Sequence, residues 1–226
     1  MIAARLQRPT PLSSPPWLVA ADIARSSHPL QATHDCGLLL RDASGYDRFD
    51  QQASRTRAER LRREWIKNLD ALAGSYGIRR ARAVFQSADP AGESPGETIV
   101  GWCLRLILRK PESLRSQYEV DAGGRFFLDF AVPEAGLAIE VTGFGKFGTR
   151  REEAYSVGQK LVRRQQLLAD LGFTTLNVTY QQARNPHTLI RDLMRRLPAL
   201  GVPVKPPSGP CWDPSMTKVF ARSRRF

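Results

Sequence analysis

Two acids in the middle of strand-like segments, Asp129 and Glu140, are the residues whose type and spacing suit metal chemistry. They lie in FFLDFAVPEAGLAIEVTGFGKF, residues 126–147, which reads as two strands joined by a Pro-containing turn. In the first, Phe126, Leu128, Phe130 and Val132 alternate with Phe127, Asp129 and Ala131. In the second, Leu137, Ile139 and Val141 alternate with Ala138, Glu140 and Thr142. Period-2 alternation sends alternate residues to one face of a sheet. If the strands pair as a hairpin, both carboxylates can share a face. A carboxylate in a hydrophobic strand is costly to bury without compensation. Mg²⁺ is one compensating partner, because it takes hard oxygens and typically one or two protein carboxylates, with water and phosphate oxygens completing its shell. The plainer alternative for either acid is exposure at a sheet edge, or an ion pair with one of the many arginines.

These acids need elements to position them. Ser94-Pro95-Gly96-Glu97 is a helix-start signature, with Ser94 as N-cap, Pro95 at the first helical position and Glu97 where a capping-box carboxylate belongs. Behind it, Ile99, Cys103, Leu106 and Ile107 form an apolar stripe that would lie on the sheet. Glu97 is therefore either a capping residue or a third acid beside the strand pair. Ser116 to Asp121 reads as a strand, followed by a turn at Gly123-Gly124. After the second acidic strand comes a glycine-rich connection, Gly143 to Gly148, which contains Lys146. A long helix is expected from Glu152 or Glu153 to Leu171, closed by Gly172. Phe173 to Tyr180 is another alternating strand, and Asn185-Pro186 starts a last helix ending near Leu197.

The region before Ser94 reads as an extension. Residues 1–16, rich in Pro, Ser and Arg, suggest a flexible arm, and Trp17 to Arg25 a short helix. From Leu30 to Phe49, CGLLLRDASGYDRF suggests a strand, a turn around Ala43–Gly45 and another strand. That segment would be either a small winged-helix-like fragment or, preferred, a structural extension packed on the main domain. Residues 53–73 form an amphipathic helix, with Leu61, Trp65, Leu69 and Leu72 at helical spacing. A second basic helix runs from Ile78 to Ala88. From Pro198 the chain turns Pro-rich and basic, a tail expected to be poorly ordered unless DNA or a partner holds it. The expected organisation is an arm and small extension (1–52), a basic helical region (53–92), an α/β domain (93–198) and a tail (199–226).

The 226 residues suffice for one domain with a sizeable core plus extensions. No apolar run reaches membrane-spanning length and no secretory pattern opens the chain. Cys36, Cys103 and Cys211 are too widely separated for a zinc cluster or a disulfide framework, which suits a reducing cytoplasm. A formal net charge of +12 is the strongest global number. Such a surface attracts polyanions, and neutralising phosphates releases counterions from nucleic acid. Arg150, Arg151, Lys160, Arg163 and Arg164 are the candidate DNA contacts.

The order from Ser94 onward is helix, strand, strand, strand, helix, strand, helix. With SPGE, LDFAVPEAGLAIEVTG and ADLGFTTLNVTY, it resembles the core of the PD-(D/E)XK, or restriction-endonuclease-like, superfamily. More narrowly it resembles the very-short-patch-repair-type branch and its uncharacterised actinobacterial group. There a segment similar to GIRRARAVFQSADP, here Gly77 to Pro90, often precedes SPGE. The resemblance covers about residues 77–198. It implies an αβββαβ core, a mixed sheet flanked by helices, with Asp129 and Glu140 as ligands of Mg²⁺ (or Mn²⁺) and Glu97 as auxiliary ligand or base orienter. The implied activity is hydrolysis of a DNA phosphodiester. Where the superfamily usually has Lys two residues after the second acid, this chain has Thr142; close relatives more often have Asp there, and repair-type enzymes His. Threonine hydrogen-bonds water but replaces neither a cation nor a strong base. Lys146 would then steady developing charge from the glycine-rich loop. Gln166, near where relatives often place an acid, would contact phosphate or water. Three functions stay open: a metal-dependent endonuclease, acting alone or as a dimer; a nuclease fold that no longer cleaves, serving as an antitoxin-like DNA-binding regulator or a subunit of a DNA-processing complex; and a protein-interaction module on the same scaffold.

Overall fold

The computed structural model describes residues 14–121, 123–142 and 162–212. The chain is mixed α/β, with a four-stranded mixed sheet and helices against both of its faces. Three elements open it: α1 (Pro16–Ser26), α2 (Pro29–Ser44) and α3 (Gln51–Asn68). Next come α4 (Ile78–Ser87) and α5 (Pro95–Ile107), then β1 (Arg115–Asp121), β2 (Arg125–Val132) and β3 (Leu137–Thr142). Residues 162–170 are helical (α6) and are followed by β4 (Thr174–Thr179), the single turn α7 (Tyr180–Ala183) and α8 (Pro186–Arg196). The strands lie side by side in chain order, with β1–β2 and β2–β3 antiparallel and β3–β4 parallel. Antiparallel neighbours need only short turns, whereas a parallel pair needs a crossover, here the segment that contains α6.

Helix α5 is the central buried element. Its Ser94 cap accepts the Glu97 N–H at 3.2 Å, and Ile99, Val100, Trp102, Cys103, Leu104 and Ile107 are buried. Each large apolar side chain so enclosed contributes about 1.5–3 kcal/mol. Gly101 is where the helix comes down on the sheet: a Cβ there would lie 2.9 Å from the Phe130 ring. The main core holds Phe130, Val132, Leu137, Ile139, Leu176 and Val178 from the sheet together with residues of α1 through α5 and α8. The extension and the sheet thus share one core. A smaller cluster, Val120, Leu128, Ala131, Ala138 and Leu168, fills the opposite face beneath α6.

Three expectations need correction. Leu30–Phe49 is not strand–turn–strand: most of it is helix α2, with Pro29 in its first turn and Gly45 at φ 58° after its last residue. The run of three leucines suggested a strand, but Leu30, Thr33, Gly37, Leu40 and Ser44 are buried at spacings of three and four, a helical stripe. Gly37 in that stripe permits close approach, since a Cβ there would meet the Asp89 carbonyl oxygen at 2.8 Å. Second, the described part of the C-terminal segment is packed. Val204 bridges to Leu108, Lys205 N–H donates to the Ile107 carbonyl at 2.7 Å, and Trp212 stacks on buried Trp102 at 6.4 Å. Third, alternation in β2 breaks at Asp129: Leu128 belongs to the smaller cluster and Phe130 to the main core. Opposite the break stands Gln117, the only non-glycine residue with positive φ among the described residues (φ 45°). The β1–β2 ladder skips that Gln117/Asp129 position. Among the described residues no helix is long and apolar enough to cross a membrane.

Candidate functional site

The break in β2 opens the site. The β2–β3 ladder runs from Val132↔Leu137 to Phe130↔Ile139. Beyond it the Asp129 carboxylate accepts the Val141 N–H through Oδ2 at 2.7 Å, a side chain standing where strand pairing would continue. A cleft of about 400 Å³ lies here, lined among others by Asp129, Glu140, Thr142, Arg164, Thr175 and Asn177. Glu140, Thr175 and Asn177 alternate with core-facing Ile139, Leu176 and Val178. They therefore point to the α6 side of the sheet. Asp129 and Glu140, expected to share a sheet face, both line this cleft.

Helix α6 supplies the nearest cation. Arg164 Nη2 donates to both Glu140 carboxylate oxygens, at 3.0 and 3.2 Å, and to the Phe127 carbonyl at 2.8 Å. It bridges the strands that separate at Asp129. Arg164, expected on a DNA-facing surface, is thus engaged inside the cleft, with the Glu140 side chain 17% exposed. The register of the helix also differs from the expectation by one position. Gln165 lines the cleft, whereas Gln166 is exposed and donates to Asp170 at 3.0 Å. Arg163 is exposed on the same helix. Lys146, Arg150, Arg151 and Lys160 lie outside the described residues.

Glu97 sits behind the cleft instead of lining it. One of its oxygens accepts the Ser94 hydroxyl at 2.8 Å; the other accepts the Glu93 N–H at 2.9 Å and the Gln117 side-chain amide at 3.2 Å. The capping role expected from SPGE accounts for the Ser94 and Glu93 contacts, whereas the Gln117 contact ties Glu97 to β1; Glu97, expected as an auxiliary ligand, is not among the residues lining the cleft. Burial pushes the Glu97 carboxyl above the usual glutamate range against those hydrogen bonds, and the Asp129 charge adds to the rise. Gln117 joins the two layers, lining the cleft on one side and holding Glu97 on the other. A positive φ at a buried, non-glycine residue is a small energetic cost that the surroundings sustain, and such positions concentrate at functional sites. Gln51, at the start of α3, clamps the Gln117 carbonyl at 2.6 Å.

Two arginines that the sequence did not announce also line the cleft. Arg48, in the loop between α2 and α3, lines the cleft and pairs with Glu93 at 3.0 Å. Arg125, at the start of β2, also lines it and is held by Glu119. Nothing local marks Arg48; only the packing of α2 and α3 on the sheet carries it there. Among the described residues no three His, Cys, Asp or Glu side chains converge as a metal cluster. Three carboxylates line the cleft: Glu93, paired with Arg48, and Asp129 and Glu140 from neighbouring strands, whose oxygens are of the hard type that Mg²⁺ takes. Comparison with protein families, curated proteins and solved structures returns no match to this chain.

Proposed function

We propose that this protein is a Mg²⁺- or Mn²⁺-dependent DNA endonuclease on a restriction-endonuclease-like αβββαβ core. The observation that carries the reading is the joint presence of Asp129 and Glu140, from neighbouring strands, in one open cleft that also holds Arg48, Arg125 and Arg164. Asp129 and Glu140 would hold the metal, which when bound polarises a phosphate and lowers the pKa of a coordinated water. The arginines draw the phosphate in and balance its charge, for which a planar guanidinium is well suited. Arg164 is already fixed by three hydrogen bonds, so it need not reorganise when substrate arrives. Thr142 and Asn177 line the same cleft and can order water or phosphate oxygens.

A second reading, a nuclease fold that binds DNA without cutting it, as a regulator or a subunit of a larger complex, draws on a specific observation. Both Glu140 oxygens face an arginine, Glu97 is spent on its cap, and threonine stands where the superfamily usually has lysine. The test is nicking of supercoiled plasmid with and without Mn²⁺. The nuclease reading expects metal-dependent scission that Asp129→Ala abolishes; scission surviving that substitution refutes the site. Salt-dependent binding without scission selects the second reading, and absence of binding at low salt removes both.

A further inference from the structure

Phe49 is a large apolar side chain left 56% exposed in the loop between α2 and α3. Its backbone is nevertheless pinned: its N–H donates to Asp47 Oδ1 at 2.8 Å and its carbonyl accepts from Arg125 at 2.9 Å. Its ring meets Phe127 edge-to-face, with centroids 5.7 Å apart and planes at 83°. Two guanidinium groups flank the pair. Arg48 lies 4.9 Å from the Phe49 ring centre and 5.5 Å from that of Phe127; Arg125 lies 5.7 Å from both. Glu93 and Glu119 hold those arginines in place. Arg48, Arg125 and Phe127 all line the cleft that contains Asp129.

We infer that this cluster is a stacking platform for an unpaired nucleobase, and that the DNA engaging the cleft presents a single-stranded segment there. The inference rests on a nucleic acid being the partner of the cleft. A solvated ion pair explains each arginine alone, but not an aromatic ring on a pinned backbone left exposed between two of them. Aromatic faces combined with arginine are how proteins hold single strands without reading sequence, because every base has a π-face. The net charge of +12 favours a polyanion over a basic peptide as the occupant. The base-paired interior of a duplex offers no free face to such a platform, whereas a frayed end, flap or gap does.

The experiment uses the full chain in EDTA, so that binding is read without cleavage. Affinities are measured for a single-stranded oligonucleotide and for the blunt duplex of the same sequence, alongside fluorescence of a 2-aminopurine placed in the single strand. Wild type should prefer the single strand and quench the probe. Phe49→Ala should weaken single-strand binding about five- to hundredfold, with duplex binding and thermal stability unchanged. Phe49→Trp should retain the quenching, and Phe49→Leu should behave as the alanine variant. Unchanged single-strand affinity in Phe49→Ala, equal losses on both substrates, or rescue by leucine would overturn the inference. If plasmid scission with Mn²⁺ is absent while quenching persists, the nuclease reading falls and the platform stands. Intact scission together with wild-type single-strand binding by Phe49→Ala removes the platform alone.

Discussion

Replacing Asp89 with asparagine should destabilise the protein by about 3 kcal/mol at neutral pH, and the loss should vanish in acid. Asp89 follows α4 and is set between the helical extension and the sheet. Its carboxylate pairs with Arg105 of α5 at 2.5 Å, with side chains 16% and 21% exposed, and also accepts the Ala91 N–H at 3.0 Å. Arg55 of α3 meets the carbonyl of the neighbouring Ser116 on β1. Burial alone would push the Asp89 carboxyl up. The Arg105 guanidinium above all, with Ser116, the Ala91 N–H and Arg55, holds it down at about 2 instead. From the ordinary value of 3.8, that depression corresponds to about 2.5 kcal/mol of stability from the ionised form. Asparagine forfeits it and leaves the Arg105 charge mostly buried without a counter-ion, an arrangement that costs several kcal/mol where measured.

The pH dependence has a definite sign. Because the folded pKa lies below the unfolded one, the contribution is fully present above about pH 5 and disappears as pH falls through the folded value of about 2. Urea unfolding of wild type and Asp89→Asn, followed by tryptophan fluorescence at pH 7 and at successively lower pH, isolates this group. Other carboxylates titrate in both proteins and cancel in the difference. The gap between the two should narrow steadily below about pH 4. A difference under about 1 kcal/mol at pH 7, or one that does not shrink in acid, would refute the claim that this ion pair joins the extension to α5.

Glu97 should show the opposite pH trend, because its folded pKa is raised. Wild type should gain on Glu97→Gln as pH falls from neutrality through the ordinary glutamate range, as read by paired thermal melts. Gly101→Ala should cost about 1–3 kcal/mol, since its Cβ would press on the Phe130 ring and the Arg105 guanidinium; unchanged denaturant unfolding would show that α5 sits farther from the sheet. All three cysteines are buried, with the Cys36 thiol pushed up to about 12 and Cys211 to about 11 by burial, so native protein should resist thiol labelling at pH 8 and react on unfolding. Early labelling of Cys211 would show that residues 198–212 do not dock on α5.

What the sequence disclosed follows from the range of the interactions involved. The Ser94 cap and the Asp129 and Glu140 strands depend on neighbours within a few residues, and all appear in the structure where local spacing put them. Helix α2 is equally local: His28, Pro29 and Gly45 mark its ends, while CGLLLRDASGYDRF by itself suggests strands. The face change at Asp129 was not legible, because it depends on Gln117 in another strand adopting φ 45°. Nor was the pairing of Arg164 with Glu140, which spans 24 residues and depends on how the β3–β4 crossover seats α6.

The same distinction bears on which function the cleft performs. Its acids come from adjacent strands and are fixed by local sequence, as is Arg125 at the start of β2, whereas Arg48 and Arg164 arrive through long-range packing. Arg164 therefore tests the two readings more sharply than either carboxylate does. If Arg164 serves phosphate binding at an active site, Arg164→Lys should keep part of the scission activity, because a cation survives at Glu140 while the bond to the Phe127 carbonyl weakens. If instead Arg164 fills the place of a metal that no longer binds, Arg164→Met should leave plasmid intact but strengthen Mn²⁺ binding, because it removes a positive charge 3.0 Å from the Glu140 carboxylate. Calorimetric Mn²⁺ titration of the two variants, beside the nicking assay, separates an arginine that assists the chemistry from one that has displaced it.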